Sequence, residues 1–440
     1  MERRRLQTIV NLALPIIGGM ISQNILNLVD TAMVGVLGPS ALAAVGVASY
    51  ANFMAMAIVM GLSSGVQAMT ARRVGESRTA ETAVPLNGGL LLAVLIGLAI
   101  SLVLFPLAPQ LFPFLNRDSA VVAEGVPYLQ ARLLAIVAVG MNFAFRGYWT
   151  GVSMTRLYLR TLLIMHSTNI VLNYILIFGK FGLPALGTLG AGLGTTIATY
   201  IGTAFYVVFA LRLARGQGFL HHVPNRQTMT AMLRLSVPSA VQQFLFATGI
   251  TAFFWIIGQV GTAEVAASNV LVNLLLVAIL PSIGLGLAAL SLVSEALGRG
   301  DATDARRWGW QVAAVACVSM TMIGLPAVIM PQVLLAGFIH DPAVLNIGIA
   351  PLRLAGATIM IDGIATILMN ALLGAGAARQ VMMVAVGSQW LLGLPLAWFV
   401  GPYLGFGLLS MWLAWFGYRA VQSVVFTCLW VRGNWATIKV

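Results

Sequence analysis

Long apolar segments separated by short polar connections fill this chain from end to end. A stretch of about 20 apolar residues is long enough to cross a bilayer as a helix, and little of the chain lies outside such stretches. The pattern predicts an all-α integral membrane protein with about twelve transmembrane helices. We expect them over residues 8–34, 45–70, 87–108, 127–149, 158–179, 189–212, 231–257, 268–292, 309–333, 347–371, 382–400 and 406–430.

Composition agrees with a membrane protein. Hydrophobic residues make up 60% of the chain and charged residues 8%, and the mean hydropathy is +0.94. The net charge of +12 would suit a nucleic-acid binder, but the arginines lie in alternate connections instead of forming one surface. They include Arg3, Arg4, Arg5, Arg72, Arg73, Arg78, Arg156, Arg160, Arg212, Arg215, Arg226, Arg299, Arg306, Arg307 and Arg379. By the positive-inside rule these connections and both termini are cytoplasmic, as in a multi-pass membrane protein. Because the arginines form no single basic surface, we expect no nucleic-acid partner.

The chain contains an internal repeat. The stretch LALPIIGGM with Pro15 recurs 223 residues later as LSVPSAVQQ with Pro238, and the same offset relates Gly151 to Gly374. Six helices in each half would make the repeats parallel, related by an axis along the membrane normal. We therefore predict two pseudo-symmetric lobes, 1–213 with helices 1–6 and 231–440 with helices 7–12, joined by a cytoplasmic loop at 214–230.

One carboxylate, Asp30, stands alone inside the first predicted helix. An ionisable group at that depth indicates a functional site, and we expect amide and hydroxyl side chains of neighbouring helices around it. The candidate ion or proton site comprises Asp30, Asn169, Asn173 and Thr195, and a substrate cavity would include Gln23, Asn27 and His166. Oxygen ligands around one carboxylate suit a proton, a sodium ion or a cationic substrate. A purely structural network with a neutral Asp30 is the alternative.

A second polar pair is predicted in the other half. Asp362 and Arg419 lie about equally deep in two inward-running helices, and a buried arginine needs a partner. We expect them to form an ion pair. Arg132 is expected to extend its guanidinium to the membrane interface. Pro15 interrupts the hydrogen bonding of the first helix, which suits either a hinge or a fixed kink.

Motifs for covalent chemistry are missing from the sequence. It has no HExxH pair or phosphate-binding P-loop, and its 4 His and 2 Cys do not cluster. We therefore expect no enzyme, no catalytic residue, no metal site and no cofactor, and an ion gradient as the energy source. The alternatives are a lipid-precursor flippase, an integral-membrane enzyme and a channel. The sequence has no filter-like segment, which argues against a channel.

Five segments together resemble the multidrug and toxic compound extrusion transporters. They are LALP with VDTAMVG around Asp30, GYWTGVSMTR, NIVLNYILIFG, GAGLGTT and LLGAGAAR, and the likeness extends over essentially the whole chain. The resemblance implies two six-helix lobes, alternating access, and export of amphipathic, often cationic compounds driven by the entry of protons or sodium ions. It also implies a bacterial inner-membrane location, and we expect a monomer.

The resemblance also implies site roles. Asp30 matches the family's helix 1 carboxylate, Asn169 its helix 5 asparagine and Thr195 its helix 6 threonine. The subfamily of the DNA-damage-inducible type often has an aspartate where this chain has Asn173. Asp362 matches a NorM-like aspartate, but that branch's helix 7 glutamate would fall near Phe246, so the subfamily stays open. A single carboxylate among neutral ligands favours a proton.

Overall fold

The computed structural model describes residues 2–222, 224–339 and 341–438; Met1, Val223, His340, Lys439 and Val440 lie outside these ranges. The described chain is 88% helical and has no strands. Its α-helices are α1 Arg3–Gly35, α2 Pro39–Gly75, α3 Val84–Leu115, α4 Ser119–Leu133, α5 Ile136–Gly151, α6 Thr155–Phe178, α7 Gly187–Leu213, α8 Arg226–Gly258, α9 Thr262–Gly298, α10 Ala302–Ile329, α11 Pro331–Ala336, α12 Pro342–Gly374, α13 Ala378–Gly387, α14 Leu394–Trp398 and α15 Gly407–Arg432.

The long helices fit a membrane protein. Ten described helices are long and apolar enough to cross a bilayer, and α4 with α5 gives an eleventh span that is bent by 47°. Helix α15 adds a further 26-residue helix at the position of the twelfth predicted span. Each predicted segment coincides with one of these helices, so the predicted all-α membrane fold is confirmed.

The 223-residue repeat extends to the helix boundaries. Helices α1 and α8 each have 33 residues, and α2 and α9 each have 37, with both pairs starting 223 residues apart. Capping repeats too: Asp118 accepts a hydrogen bond from the N–H of Ala120, and Asp341 accepts one from the N–H of Ala343. Equivalent segments of the two halves therefore adopt equivalent local structure.

Two of the differences between the repeats lie in the fourth and fifth spans. In the first repeat the fourth span is broken between α4 and α5, whereas its counterpart α12 is one continuous helix. In the second repeat the fifth span contains π-helical turns at Ser388–Gly393 and Phe399–Tyr403, while its counterpart α6 is regular. A π-turn moves the side chains that follow it to a different face of the helix.

The contacts divide the chain into two compact units. Unit A is Gly18–Ala240, and unit B combines Met1–Ile17 with Val241–Val440. These boundaries differ from the predicted lobes 1–213 and 231–440, because the first parts of α1 and α8 pack with the opposite half. A 33-residue helix is about 50 Å long, so its two parts can have different neighbours.

Small residues bring the helices of unit A close together. A Cβ atom on Gly147 of α5 would lie 2.4 Å from the carbonyl oxygen of Ser63 in α2, and one on Gly61 would lie 2.3 Å from that of Ser236 in α8. Glycine lets membrane helices approach until their backbones touch. These contacts hold α2 against α5 and α8.

Candidate functional site

The carboxylate of Asp30 is bound to an amide network. Asn173 Nδ2 in α6 donates to Asp30 Oδ1 at 2.8 Å and to Asn169 Oδ1 at 3.0 Å. Both asparagines are almost completely buried. They lie one turn apart on α6, so their side chains share the face that meets α1. Three of the predicted site residues are therefore in hydrogen-bond contact.

The Asn169–Asn173 pair has unused polar atoms. Asn169 Nδ2 and Asn173 Oδ1 are buried and have no hydrogen-bond partner among the described residues. Buried polar atoms are normally paired, and exceptions often mark functional positions. The Asn169 amide keeps a donor for a water or a substrate, whereas the Asn173 oxygen lies against Gly194 of α7.

The residues predicted for the substrate cavity form a second network on the same two helices. Gln23 Nε2 donates to Asn27 Oδ1 at 3.1 Å, and Gln23 Oε1 lies 3.0 Å from His166 Nε2. The other ring nitrogen of His166 lies 3.0 Å from Ser22 Oγ. Both imidazole nitrogens are thus engaged. Ser22 was not predicted, although it lies next to Gln23.

The hydroxyl of Thr195 bonds to the backbone of its own helix, unlike the side chains of its predicted neighbours. Its hydroxyl donates to the carbonyl of Ala191 at 2.9 Å within α7. The closest approach of α7 to the network is at the preceding residue, Gly194, where a Cβ atom would lie 2.1 Å from Asn173 Oδ1. Gly194 was not predicted as a site residue, because a glycine offers no polar group and its contact is between helices.

Arg132 does not fit the expectation of a side chain that extends to the interface. Its Nε and Nη1 atoms are buried without a hydrogen-bond partner within the described chain. It lies at the end of α4, next to the bend, and within electrostatic range of Asp30. The prediction was wrong, because the protein encloses two of the three guanidinium nitrogens.

Another half-buried arginine, Arg146 in α5, was not predicted as a site residue. Its Nε donates to Ser63 Oγ at 3.0 Å, and its guanidinium carbon lies 4.7 Å from the ring centroid of Phe143. Tyr158 and Tyr206 are also within its electrostatic range. The sequence signal that could have revealed Arg146 is a charged residue inside the predicted fourth span, just before the GYWTG segment.

The predicted ion pair of unit B is present. Arg419 Nε in α15 donates to Asp362 Oδ1 in α12, and both side chains are less than one-fifth exposed. Arg419 also donates to Gln422 Oε1, and Gln422 Nε2 donates to Ser388 Oγ at 3.1 Å. Asp362 is therefore compensated by a cation, unlike Asp30, whose bonded partner is a neutral amide.

Pro15 is buried within α1, which is continuous from Arg3 to Gly35. It lies three residues before Gly18, where the helix passes from unit B to unit A. Its predicted role as a hinge stays a prediction. Among the described residues, no group of three His, Cys, Asp or Glu side chains could hold a metal ion.

The family of this chain follows from its similarity to known proteins. The MatE family model matches residues 15–175 and again residues 238–399, so its two matches start at Pro15 and Pro238. The chain belongs to the MatE family. It is a multi-span membrane transporter and not an enzyme. The double match also supports the internal repeat.

Similar proteins agree with this family. The chain is 27% identical to "Probable multidrug resistance protein NorM" of Synechococcus sp. over 93% of this chain and 90% of that protein. It is 29% identical to "Multidrug resistance protein NorM" of Burkholderia vietnamiensis over 91% and 88%. A solved structure described as the outward-facing conformation of a multidrug resistance MATE family transporter has a TM-score of 0.90 at 19% identity, covering 99% and 97%. That structural likeness shows the fold.

Proposed function

We propose that this MatE-family transporter exports amphipathic, cationic drug-like compounds in exchange for protons, with Asp30 as the coupling carboxylate. Alternating access would expose Asp30 first to one side of the membrane and then to the other. The observation that carries this proposal is the hydrogen bond between Asp30 and the buried Asn173. Through this bond a single carboxylate belongs to a network of polar side chains. No cation is bonded to this carboxylate among the described residues.

The electrostatics of the site support competition between a proton and a cationic substrate. A deprotonated Asp30 attracts a cation, whereas a protonated Asp30 does not, so proton uptake would release the substrate. Asp30 is bonded to the neutral amide of Asn173, which also donates to the neutral amide of Asn169. Proton binding needs only the carboxylate, and the Asn169 oxygen already accepts a hydrogen bond from Asn173, which favours a proton over sodium.

Two names of similar proteins support the substrate class, since both are called multidrug resistance proteins. The positions of the arginines support cytoplasmic termini in a bacterial inner membrane. We further propose that the monomer is the transporting unit. Each unit contains its own buried polar network, and every contact of the Asp30 network lies within unit A.

The test compares ethidium efflux by the wild type and by Asp30→Asn in proteoliposomes, first with an imposed proton gradient and then with a sodium gradient. Asp118→Asn is the matched control, because Asp118 is an exposed helix cap in the same unit. We expect Asp30→Asn to abolish proton-driven efflux while Asp118→Asn retains it. Size-exclusion profiles and thermal unfolding would show that the variants are folded.

The other outcomes are equally informative. If a sodium gradient alone drives wild-type efflux, proton coupling is wrong and Asp362 becomes the next candidate. If Asp30→Asn transports like the wild type under a proton gradient, Asp30 is not the coupling group. Asp30→Glu keeps the charge and should keep part of the activity, which separates loss of charge from loss of shape.

A further inference from the structure

A groove on unit B lies between the start of α1 and the side of α10. Its volume is about 520 Å³. Its lining is mainly apolar and includes Leu6, Trp310, Gln311, Ala314, Val318 and Ser319. From Trp310 to Ser319 the α10 side of the groove extends about 14 Å along the helix axis. This length suits an extended hydrocarbon chain.

The groove is open to its surroundings. Leu6 and Trp310 are each 39% exposed and Val318 is 57% exposed. Apolar side chains exposed on a membrane span face hydrocarbon. Tryptophan favours the boundary between headgroups and hydrocarbon. Trp310 therefore indicates where a bound lipid would change from polar to apolar.

Arginines precede the groove residues on both helices. Arg307 precedes Trp310 by three residues and Gln311 by four, so it shares their face of α10. Arg3 precedes Leu6 by three residues on α1 in the same way. Both arginines are exposed. An anionic group beside these arginines would meet two cations that have no ion-pair partner within the described chain.

The neighbouring carboxylates do not cancel this charge. Asp304 accepts hydrogen bonds from Arg5 and from Arg299, and Arg299 also pairs with Glu295. Asp301 accepts from the N–H of Asp304 as the cap of α10, and Glu2 and Arg4 precede Arg5 on α1. Arg306 donates to the carbonyl of Val431 and keeps its positive charge. These groups together leave an excess of positive charge.

The repeat shows what covers the equivalent place in unit A. By the 223-residue offset Trp310 corresponds to Asn87, whose Nδ2 donates to the carbonyls of Gly218 and His222 at 2.9 Å. The connecting segment therefore packs on α3 in unit A. On the groove of unit B no segment of the described chain takes that place. An occupant would have to come from outside the described chain.

We propose that this groove binds one anionic phospholipid of the surrounding membrane. One acyl chain lies along the apolar strip from Leu6 to Val318, and the phosphate lies against Arg3 and Arg307. Lys and Arg near a membrane surface each favour anionic lipid by about 1 kcal/mol, or about fivefold in affinity. A cationic amphiphile would be repelled by the same two arginines.

Brominated lipids test the site, because bromine quenches tryptophan fluorescence on contact. Phosphatidylcholine vesicles would carry the full-length protein with either brominated phosphatidylglycerol or brominated phosphatidylcholine at equal mole fraction. The Trp310 signal is the difference between each protein and the same protein with Trp310→Phe. We expect brominated phosphatidylglycerol to quench this signal at least about threefold more effectively.

Matched variants separate the arginines from general charge. Arg3→Gln with Arg307→Gln should remove the preference, whereas Arg3→Lys with Arg307→Lys should keep it. Arg226→Gln is the control, since Arg226 is the exposed repeat counterpart of Arg3. Excess glycerol phosphate in solution should not compete, because the acyl chain supplies part of the binding.

Three results would overturn the proposal. They are equal quenching by the two lipids, an unchanged preference in the double glutamine variant, and full displacement by glycerol phosphate. If the double glutamine variant does not fold, Val318→Trp fills the groove without altering its charge and should reduce quenching of the Trp310 signal by both lipids. Retained quenching in that variant would equally contradict a lipid in the groove.

Discussion

Asp30 and Asn173 are joined by a 2.8 Å hydrogen bond although 143 residues separate them in the sequence. Asn173 Nδ2 also donates to Asn169, so one amide group positions two acceptors. The carboxylate is thereby held on the α6 side of α1. This relationship makes Asn173 the residue through which Asp30 is oriented.

Removing the amide should therefore weaken both stability and coupling. Asn173→Leu eliminates the donor to Asp30, and a hydrogen bond to a charged group contributes about 1.5–3 kcal/mol. We expect a lower unfolding temperature and little proton-driven ethidium efflux. Asn273→Leu is the control, because Asn273 is exposed and bonds within its own helix. Equal efflux by Asn173→Leu and the wild type would contradict the role of this amide.

The pair of Asp362 and Arg419 should show a double-mutant effect. Arg419→Leu leaves an uncompensated carboxylate, and breaking a buried ion pair in this way costs about 3–5 kcal/mol. Adding Asp362→Leu removes that charge, so the double variant should be more stable than Arg419→Leu alone. Thermal unfolding in detergent measures both. Additive effects of the two substitutions would show that the pair is not energetically coupled.

The close approach of α7 to Asn173 predicts intolerance at Gly194. A Cβ atom there would lie 2.1 Å from Asn173 Oδ1, so Gly194→Ala must displace the amide. Overpacking of this kind costs about 1–3 kcal/mol. We expect reduced efflux and a lower unfolding temperature. Gly46→Ala on α2 is the matched control, since its Cβ would have no atom within 4 Å; similar losses in both would discount the Asn173 contact.

Pro15 allows a test of the hinge. Pro15→Ala supplies the N–H that proline lacks and should stiffen α1. If bending of α1 accompanies transport, we expect slower efflux with unchanged equilibrium binding of ethidium, measured by fluorescence polarisation. Pro326→Ala in α10 is the control, because Pro326 is exposed. Wild-type efflux rates in Pro15→Ala would identify Pro15 as a fixed packing feature.

The structure corrects the sequence analysis where packing between distant segments decides the outcome. Arg132 was expected at the interface, but two of its nitrogens are buried beside the bend between α4 and α5. Arg146 and Gly194 were not predicted as site residues. Hydropathy measures how apolar a segment is, and it contains no information on which face of that segment meets a neighbour.

The sequence by itself determined the helices, the 223-residue repeat and the two intramembrane carboxylates. These follow from local rules, because a bilayer requires long apolar helices and makes isolated charges conspicuous. The pairing of Asp362 with Arg419 was also predicted from the sequence. Only the tertiary structure decided that Asn173 and not Thr195 bonds Asp30, and where α1 passes between units. Those facts depend on contacts between segments more than 50 residues apart, or on the different neighbours along one long helix, and helix periodicity alone does not fix them.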